Sequence, residues 1–208
     1  MPAAEPFGIF PTLSWHTIRP KQMRAPETHE ALFHRWRTAL AGTRARTLSL
    51  TESLTSAQLA QHPANGGWSI SQVFEHLVLT GEMYLIGINT AIAAAKPTAC
   101  PPYWKPTFVG WLLATAVSPQ APRKLTAPKR MQPGPVARPN IVEIYSAETA
   151  RIASLLDRAS ALDLNRVRIA SPILKIIRLN LGDCLEVNIQ HGMRHLDQVE
   201  RVRQEIAG

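Results

Sequence analysis

The sequence predicts an all-α fold: a four-helix bundle in up-down-down-up order, with a long crossover between its second and third helices. Three observations predict it. Four long segments carry apolar residues at spacings of three and four, the stripe of a helix packed on one side. Two of these segments open on a capping pattern, Ser69 with Gln72 and Asn140 with Glu143. The links between them are unequal, and link length decides which neighbours can be antiparallel.

The 208 residues suit one domain. Residues 1–25 hold several prolines and little periodicity. They read as an extended arm that packs through Phe7, Phe10 and Trp15, leaving 26–208 as a single bundle domain. The first long helix is expected from Glu27 to Leu50, with His29, Phe33, Trp36, Leu40, Thr43 and Thr47 facing inward. A short helical turn follows at Ser56–Gln61, and the cluster His62-Pro63-Ala64-Asn65-Gly66-Gly67 ends it.

The second long helix is capped by Ser69 and runs to about Ala95, before Lys96-Pro97. At 100° per residue, Ser69, Gln72, Val73, Thr80, Met83 and Gly87 fall on the side of His76. His76 therefore lies on the buried stripe. Eight prolines lie between Pro97 and Pro139, with one short helix expected at Thr107–Val117.

The third long helix is expected from Asn140 to Ala159. Its inward line is Ile141, Tyr145, Glu148, Ile152, Leu155 and Ala159, and a competing line runs through Val142, Thr149 and Leu156. Glu148 then lies on the stripe or at its edge, and the solvent-facing edge is the favoured reading. The fourth helix starts near Asn180 and reaches about Glu205. Cys184, Asn188, His191, His195, Gln198 and Val202 share one of its faces.

The first link is compact, so the first two long helices can be antiparallel neighbours. The second link, of about forty residues, is long enough to run back along a ~40 Å helix, so the second and third helices are expected to be parallel. In that arrangement His76, Glu148, His191 and His195 lie at one height.

Composition limits the function classes. The net charge is +8, and no acidic residue interrupts the crossover around Arg123, Lys124, Lys129, Arg130 and Arg138. A solvated basic surface explains this first, and a field that attracts an anionic small molecule second. Nucleic acid comes third and is not expected as a partner: the basic stretch lacks interleaved aromatics and no nucleic-acid motif is present. Two cysteines, Cys100 and Cys184, fit a reducing compartment. No leader is recognisable, and the longest apolar run, Phe108–Val117, is too short to span a bilayer. A cytoplasmic protein without a membrane partner is expected, and a homodimer stays open.

His191 and His195 are spaced i, i+4, so their imidazoles share one helix face one turn apart. Such a pair alone is more often two core histidines than a metal site. His76, inward on another helix, completes a set of three ligands that leaves one coordination position open, as in catalytic metal sites. Neutral imidazoles suit a divalent transition metal, zinc or nickel first. Gln198 and Asn188, each one turn from a ligand, are candidates to orient it, with ordinary polar packing equally open.

Gly192 follows His191, so the built-in glutamate of the HExxH metalloproteases is missing. Glu75, Glu82, Glu186 and Asp197 point away from the histidine face. Glu148, with Tyr145 one turn away, is the catalytic candidate that level-matching offers. A site poor in carboxylates suits thiol activation better than peptide hydrolysis. Cys184 reads as a small core residue, and His16, His29, His34 and His62 as surface or packing residues.

Two stretches carry a family resemblance: Gly66-Gly67-Trp68-Ser69-Ile70-Ser71-Gln72-Val73-Phe74-Glu75-His76-Leu77 and His191-Gly192-Met193-Arg194-His195-Leu196-Asp197-Gln198. The chain resembles the DinB-like (YfiT-like) superfamily of metal-binding proteins. The resemblance implies a four-helix bundle with a long crossover and a metal triad of His76, His191 and His195. It implies activity toward a small-molecule substrate: metal-dependent transfer or isomerisation with a low-molecular-weight thiol, or hydrolysis. A metal-dependent transferase or hydrolase is thus the first functional class. A non-catalytic metal-binding bundle, serving stability or small-molecule sensing, is the second.

Overall fold

The computed structural model describes residues 27–98, 101–122, 126–173 and 176–207. The expected arm with Phe7, Phe10 and Trp15 lies outside the described residues, as do His16, Cys100, Arg123 and Lys124.

Four long helices form the body: α1 (His29–Thr51), α3 (Ile70–Ala94), α5 (Ile141–Ala159) and α6 (Leu181–Ala207). Two short ones, α2 (Ser56–Ala60) and α4 (Phe108–Ala116), lie in the connections. Both α2 and α3 start at a reciprocal capping box, Thr55 with Gln58 and Ser69 with Gln72. Each box satisfies two backbone donors that a helix start leaves open. The start of α6 is built the same way. The Asp183 amide donates to Asn180 Oδ1 at 2.7 Å, and the Asn180 amide donates to Asp183 Oδ2 at 3.0 Å.

The cap read at Asn140 differs from expectation. Asn140 does precede α5, but with φ 53° and no side-chain capping bond. Asparagine tolerates this left-handed geometry better than most residues, so it turns the chain rather than capping the helix.

Cross-helix pairs give the directions. Phe74 stacks on Tyr145 at 5.2 Å, and Arg158 reaches Asn89 at 3.3 Å, so α3 and α5 run parallel. Trp36 donates to Glu186 at 2.5 Å and Arg46 to Asp197 at 2.6 Å, so α1 and α6 run parallel. Arg37 pairs with Asp157, whereas Thr43 shares a cavity wall with Tyr145, so α1 and α5 are antiparallel. The order is up-down-down-up.

The crossover follows the outside of the bundle. It begins beside the start of α6, where Trp104 donates to Asn180 at 3.2 Å and Thr107 to Asp183. It passes α6 again where Arg194 donates to the Ser118 carbonyl at 2.7 Å. It ends beside the start of α3, where Gln72 holds the Gly134 carbonyl at 2.9 Å and Glu75 accepts from Arg138 at 2.8 Å.

The fold is helical with two small antiparallel ladders that periodicity does not predict. β1 (Glu27–Thr28) pairs with β2 (Tyr103–Trp104), and β3 (Arg168–Ala170) with β4 (Arg178–Asn180). Two or three residues are too few to display a period of two. Glu27, expected in the first helix, is in β1, and Thr28 caps α1.

The apolar core has two parts. One holds Leu32–Leu40 of α1, Tyr84–Ile92 of α3, Ile152–Ala159 of α5 and the first turns of α6. The other holds Leu50, Ile70–Val78, Ile141–Tyr145 and Leu196–Val202. Between them each helix contributes polar or small residues: Thr43 and Thr47, Thr80 and Gly81, Glu148 and Thr149, His191, Gly192 and His195. By length and composition α3 could cross a membrane. Here it packs against α5 and α6, and its apolar surplus serves the core on both sides of the polar belt.

Candidate metal centre

His76 comes from the second turn of α3, and His191 and His195 from the middle of α6. Antiparallel packing of these helices brings the three rings together. Their centroids are 5.0 Å apart for His76–His191, 4.7 Å for His76–His195 and 4.5 Å for His191–His195. One nitrogen from each ring falls in a set lying within 4.8 Å of one another. Nε2 of His76 and Nε2 of His191 are 3.2 Å apart. Two nitrogens at ~2.0 Å on a tetrahedral ion would be separated by about 3.3 Å. The His76–His191 pair is therefore at the separation that one ion requires, and the His195 ligand nitrogen lies within 4.8 Å of both.

Hydrogen bonds choose the tautomers. Nδ1 of His76 lies 2.6 Å from the Met131 carbonyl, and a carbonyl only accepts, so this nitrogen carries the proton. Nδ1 of His195 lies 2.9 Å from Gln198 Oε1 and donates in the same way. Both rings are thus left with a lone pair on Nε2, the arrangement in which an outer acceptor orients a metal-binding histidine. Trp68 packs its ring 5.0 Å from that of His76 and limits the ring's freedom from the other side.

The site also holds its imidazoles neutral. Burial lowers the pKa of His76, against the Met131 hydrogen bond. Burial, then the neighbouring His195 and His76, place His191 well below its ordinary value. Burial and His76 bring His195 to about 3, against the Gln198 bond. Neutral imidazole is the form that binds a metal, so no proton has to be displaced near neutral pH. With all three rings held neutral and the tautomer set on His76 and His195, the three side chains fit a divalent transition metal.

Gln198 orients His195, as described. Asn188 spends its amide on the Cys184 carbonyl at 2.8 Å, a bond within the helix. Cys184 is buried in the core, as read, and burial raises its thiol. Glu75 and Glu186 are turned to Arg138 and Arg35. Among the described residues, no aspartate, glutamate or cysteine joins the three histidines.

Glu148 does not face solvent. It is 5% exposed and sits against Gly81 of α3, where any Cβ would collide with its carboxyl. The favoured reading failed because a glycine on the facing helix makes a recess that the pattern of α5 alone cannot reveal. Burial, and then Glu82, raise the Glu148 pKa to about 8, against Arg151 and Arg138. Tyr145 is buried beside it, its hydroxyl near Gly192, where a Cβ would come within 2.9 Å. Burial raises the Tyr145 phenol as well.

Sequence reasoning missed two contributors, the Met131 carbonyl and the Trp68 ring. Trp68 lies inside the motif quoted above, one residue before the cap. Met131 has no sequence signal, because a backbone acceptor can come from any residue.

Comparison with known proteins agrees with this fold. The family model of the DinB superfamily matches residues 39–199. No curated protein matches the chain. Among solved structures the chain is similar to YfiT from Bacillus subtilis, with a TM-score of 0.56 and 18% identity, over 91% of this chain and 94% of that one. That protein is described as "a probable metal-dependent hydrolase with an unusual four-helix bundle topology". At this identity the likeness is one of fold.

Proposed function

This chain belongs to the DinB superfamily, and from that premise we propose that it is a metal-dependent enzyme activating a small nucleophile at His76, His191 and His195. The observation that carries the reading is the neutral triad, with one ligand atom from each ring in a single cluster and two of the three rings held by acceptors on Nδ1. A bound divalent metal would supply Lewis acidity, lowering the pKa of a coordinated water to about 7 or deprotonating a coordinated thiol. The chain's own residues do the rest. His76 and His195 offer oriented lone pairs, Trp68 packs against the His76 ring, and burial keeps the imidazoles unprotonated.

The nucleophile is a low-molecular-weight thiol in the first reading. No described carboxylate lies among the ligand atoms to take the proton of a water, and a thiol needs less help to lose its own. Its substrate is a small electrophile or anion, drawn in part by the net charge of +8. Water, and hence hydrolysis, is the second reading, favoured by the description of the structural neighbour.

The test is elemental analysis of untagged protein, followed by thiol-transfer and hydrolase assays before and after chelation. Turnover that disappears on chelation, returns with zinc or nickel, and is absent from His195→Ala supports the proposal. Activity that survives both His195→Ala and exhaustive chelation overturns it. Metal uptake without turnover favours the non-catalytic bundle.

A further inference from the structure

Two of the three histidines have their second nitrogen held by the protein, and the third does not. Nδ1 of His76 bonds the Met131 carbonyl and Nδ1 of His195 bonds Gln198. Nε2 of His191 points to His76, and among the described residues no hydrogen bond reaches its Nδ1.

His191 also lines a cavity of about 20 Å³ in the polar belt. That volume holds one water molecule, and a buried water needs two to four polar partners. The walls provide Tyr145, Glu148, Asn188 and His191. Asn188 keeps its Oδ1 after giving its amide to Cys184. Glu148 is 5% exposed and lines the same cavity, so its carboxyl can meet a water there. A carboxyl so little exposed is unfavourable unless a polar group or a water satisfies it, and the cavity has room for that water.

The backbone makes room for these groups. Gly81 and Gly192 lie inside α3 and α6, where glycine is less favourable than alanine. A Cβ at Gly81 would strike the Glu148 carboxyl, and one at Gly192 would crowd the Tyr145 hydroxyl.

Building on the metal reading above, we propose that Glu148 is a positioning residue: through one water in this cavity it holds the Nδ1 proton of His191. The consequence is a choice of tautomer. His76 has its proton on Nδ1, so its Nε2 is an acceptor, 3.2 Å from Nε2 of His191. With no acceptor on the far side, His191 would carry its proton on Nε2 and donate it to His76, closing the site. An acceptor on Nδ1 moves that proton away and leaves two lone pairs facing one ion position. Glu148 touches neither substrate nor metal in this role.

Zinc alone is the probe, measured by competition with a chromophoric chelator on the full chain. Glu148→Leu should weaken zinc binding by about tenfold or more, the usual effect of losing an outer-shell partner, with helical content intact. Glu148→Gln, which still hydrogen-bonds a water, should stay within about threefold. Nitrogen-15 spectra of apo protein should show His191 leaving the Nδ1–H tautomer in Glu148→Leu, with His76 and His195 unchanged. A purely structural Glu148 would not move those signals. Unchanged affinity and unchanged His191 signals in Glu148→Leu overturn the proposal, even while His195→Ala abolishes binding and the triad reading stands. Should Glu148→Leu fail to fold, or the wild type take up no zinc, the apo wild-type spectrum decides. Nδ1–H at His191 supports the positioning role, and Nε2–H overturns it.

Discussion

The Met131 carbonyl accepts a 2.6 Å hydrogen bond from Nδ1 of His76, tying the crossover to the helix that carries the first ligand. Met131 sits in a single 3₁₀ turn, Lys129–Met131, and its side chain is buried. The crossover therefore sets the tautomer and rotation of His76 as well as joining two helices. It is fastened on both sides of this point, by Arg194 on Ser118 and by Gln72 on Gly134.

Met131→Ala should loosen that turn. Removing a buried methionine side chain is worth about 2–5 kcal/mol of stability. The expected outcome is a lower unfolding midpoint and zinc affinity reduced by about tenfold. A lost midpoint with unchanged zinc affinity would mean that the carbonyl stays in place without the side chain, and that the turn is held by its neighbours alone.

The helices, their direction and the three histidines were legible because each rests on a local or arithmetical signal. The Ser69–Gln72 box fixes where α3 starts, and the start fixes the phase of His76. The length of the crossover against the length of α3 gives the parallel pair. What was not legible depends on contacts between distant segments. Glu148 is buried because Gly81 faces it, and Met131 matters through a backbone atom. Asn140 kept its place at the start of α5 but not its capping bond, since the turn there requires a left-handed residue first.

The apo protein should lose stability as pH falls from neutrality. His76, His191 and His195 all have folded pKa values below the ordinary 6.5, the last at about 3. Between about pH 6.5 and 3 the unfolded chain therefore binds protons at these positions that the folded chain refuses. Stability then rises with pH, by up to ~1.4 kcal/mol per unit for each histidine. The effect is complete above pH 6.5 and is progressively lost below it. In urea titrations of metal-free protein, His195→Ala should show a shallower decline over this window than the wild type. Equal slopes would mean that the imidazoles are as open to protons in the fold as in the unfolded chain.

Glu148 gives the opposite dependence. Its folded pKa of about 8 lies above the ordinary 4.5, so the folded state holds a proton that the unfolded state releases. The penalty is absent below pH 4.5, grows as pH rises through the interval, and is complete above about 8. Its full size is on the order of a few kcal/mol, given how little of the carboxyl reaches solvent. Glu148→Gln removes the charge and keeps the shape. In metal-free protein its stability relative to wild type should therefore improve steadily from pH 5 to pH 8.5. Glu82 works in the same direction by repelling the carboxylate, while Arg138 and Arg151 oppose it. Glu82→Gln should thus shrink the difference between Glu148 and its glutamine variant at high pH. If Glu148→Gln is equally stabilising or destabilising at both ends of the range, the carboxyl is solvated well enough to ionise freely, and the recess opposite Gly81 is wetter than one water would make it.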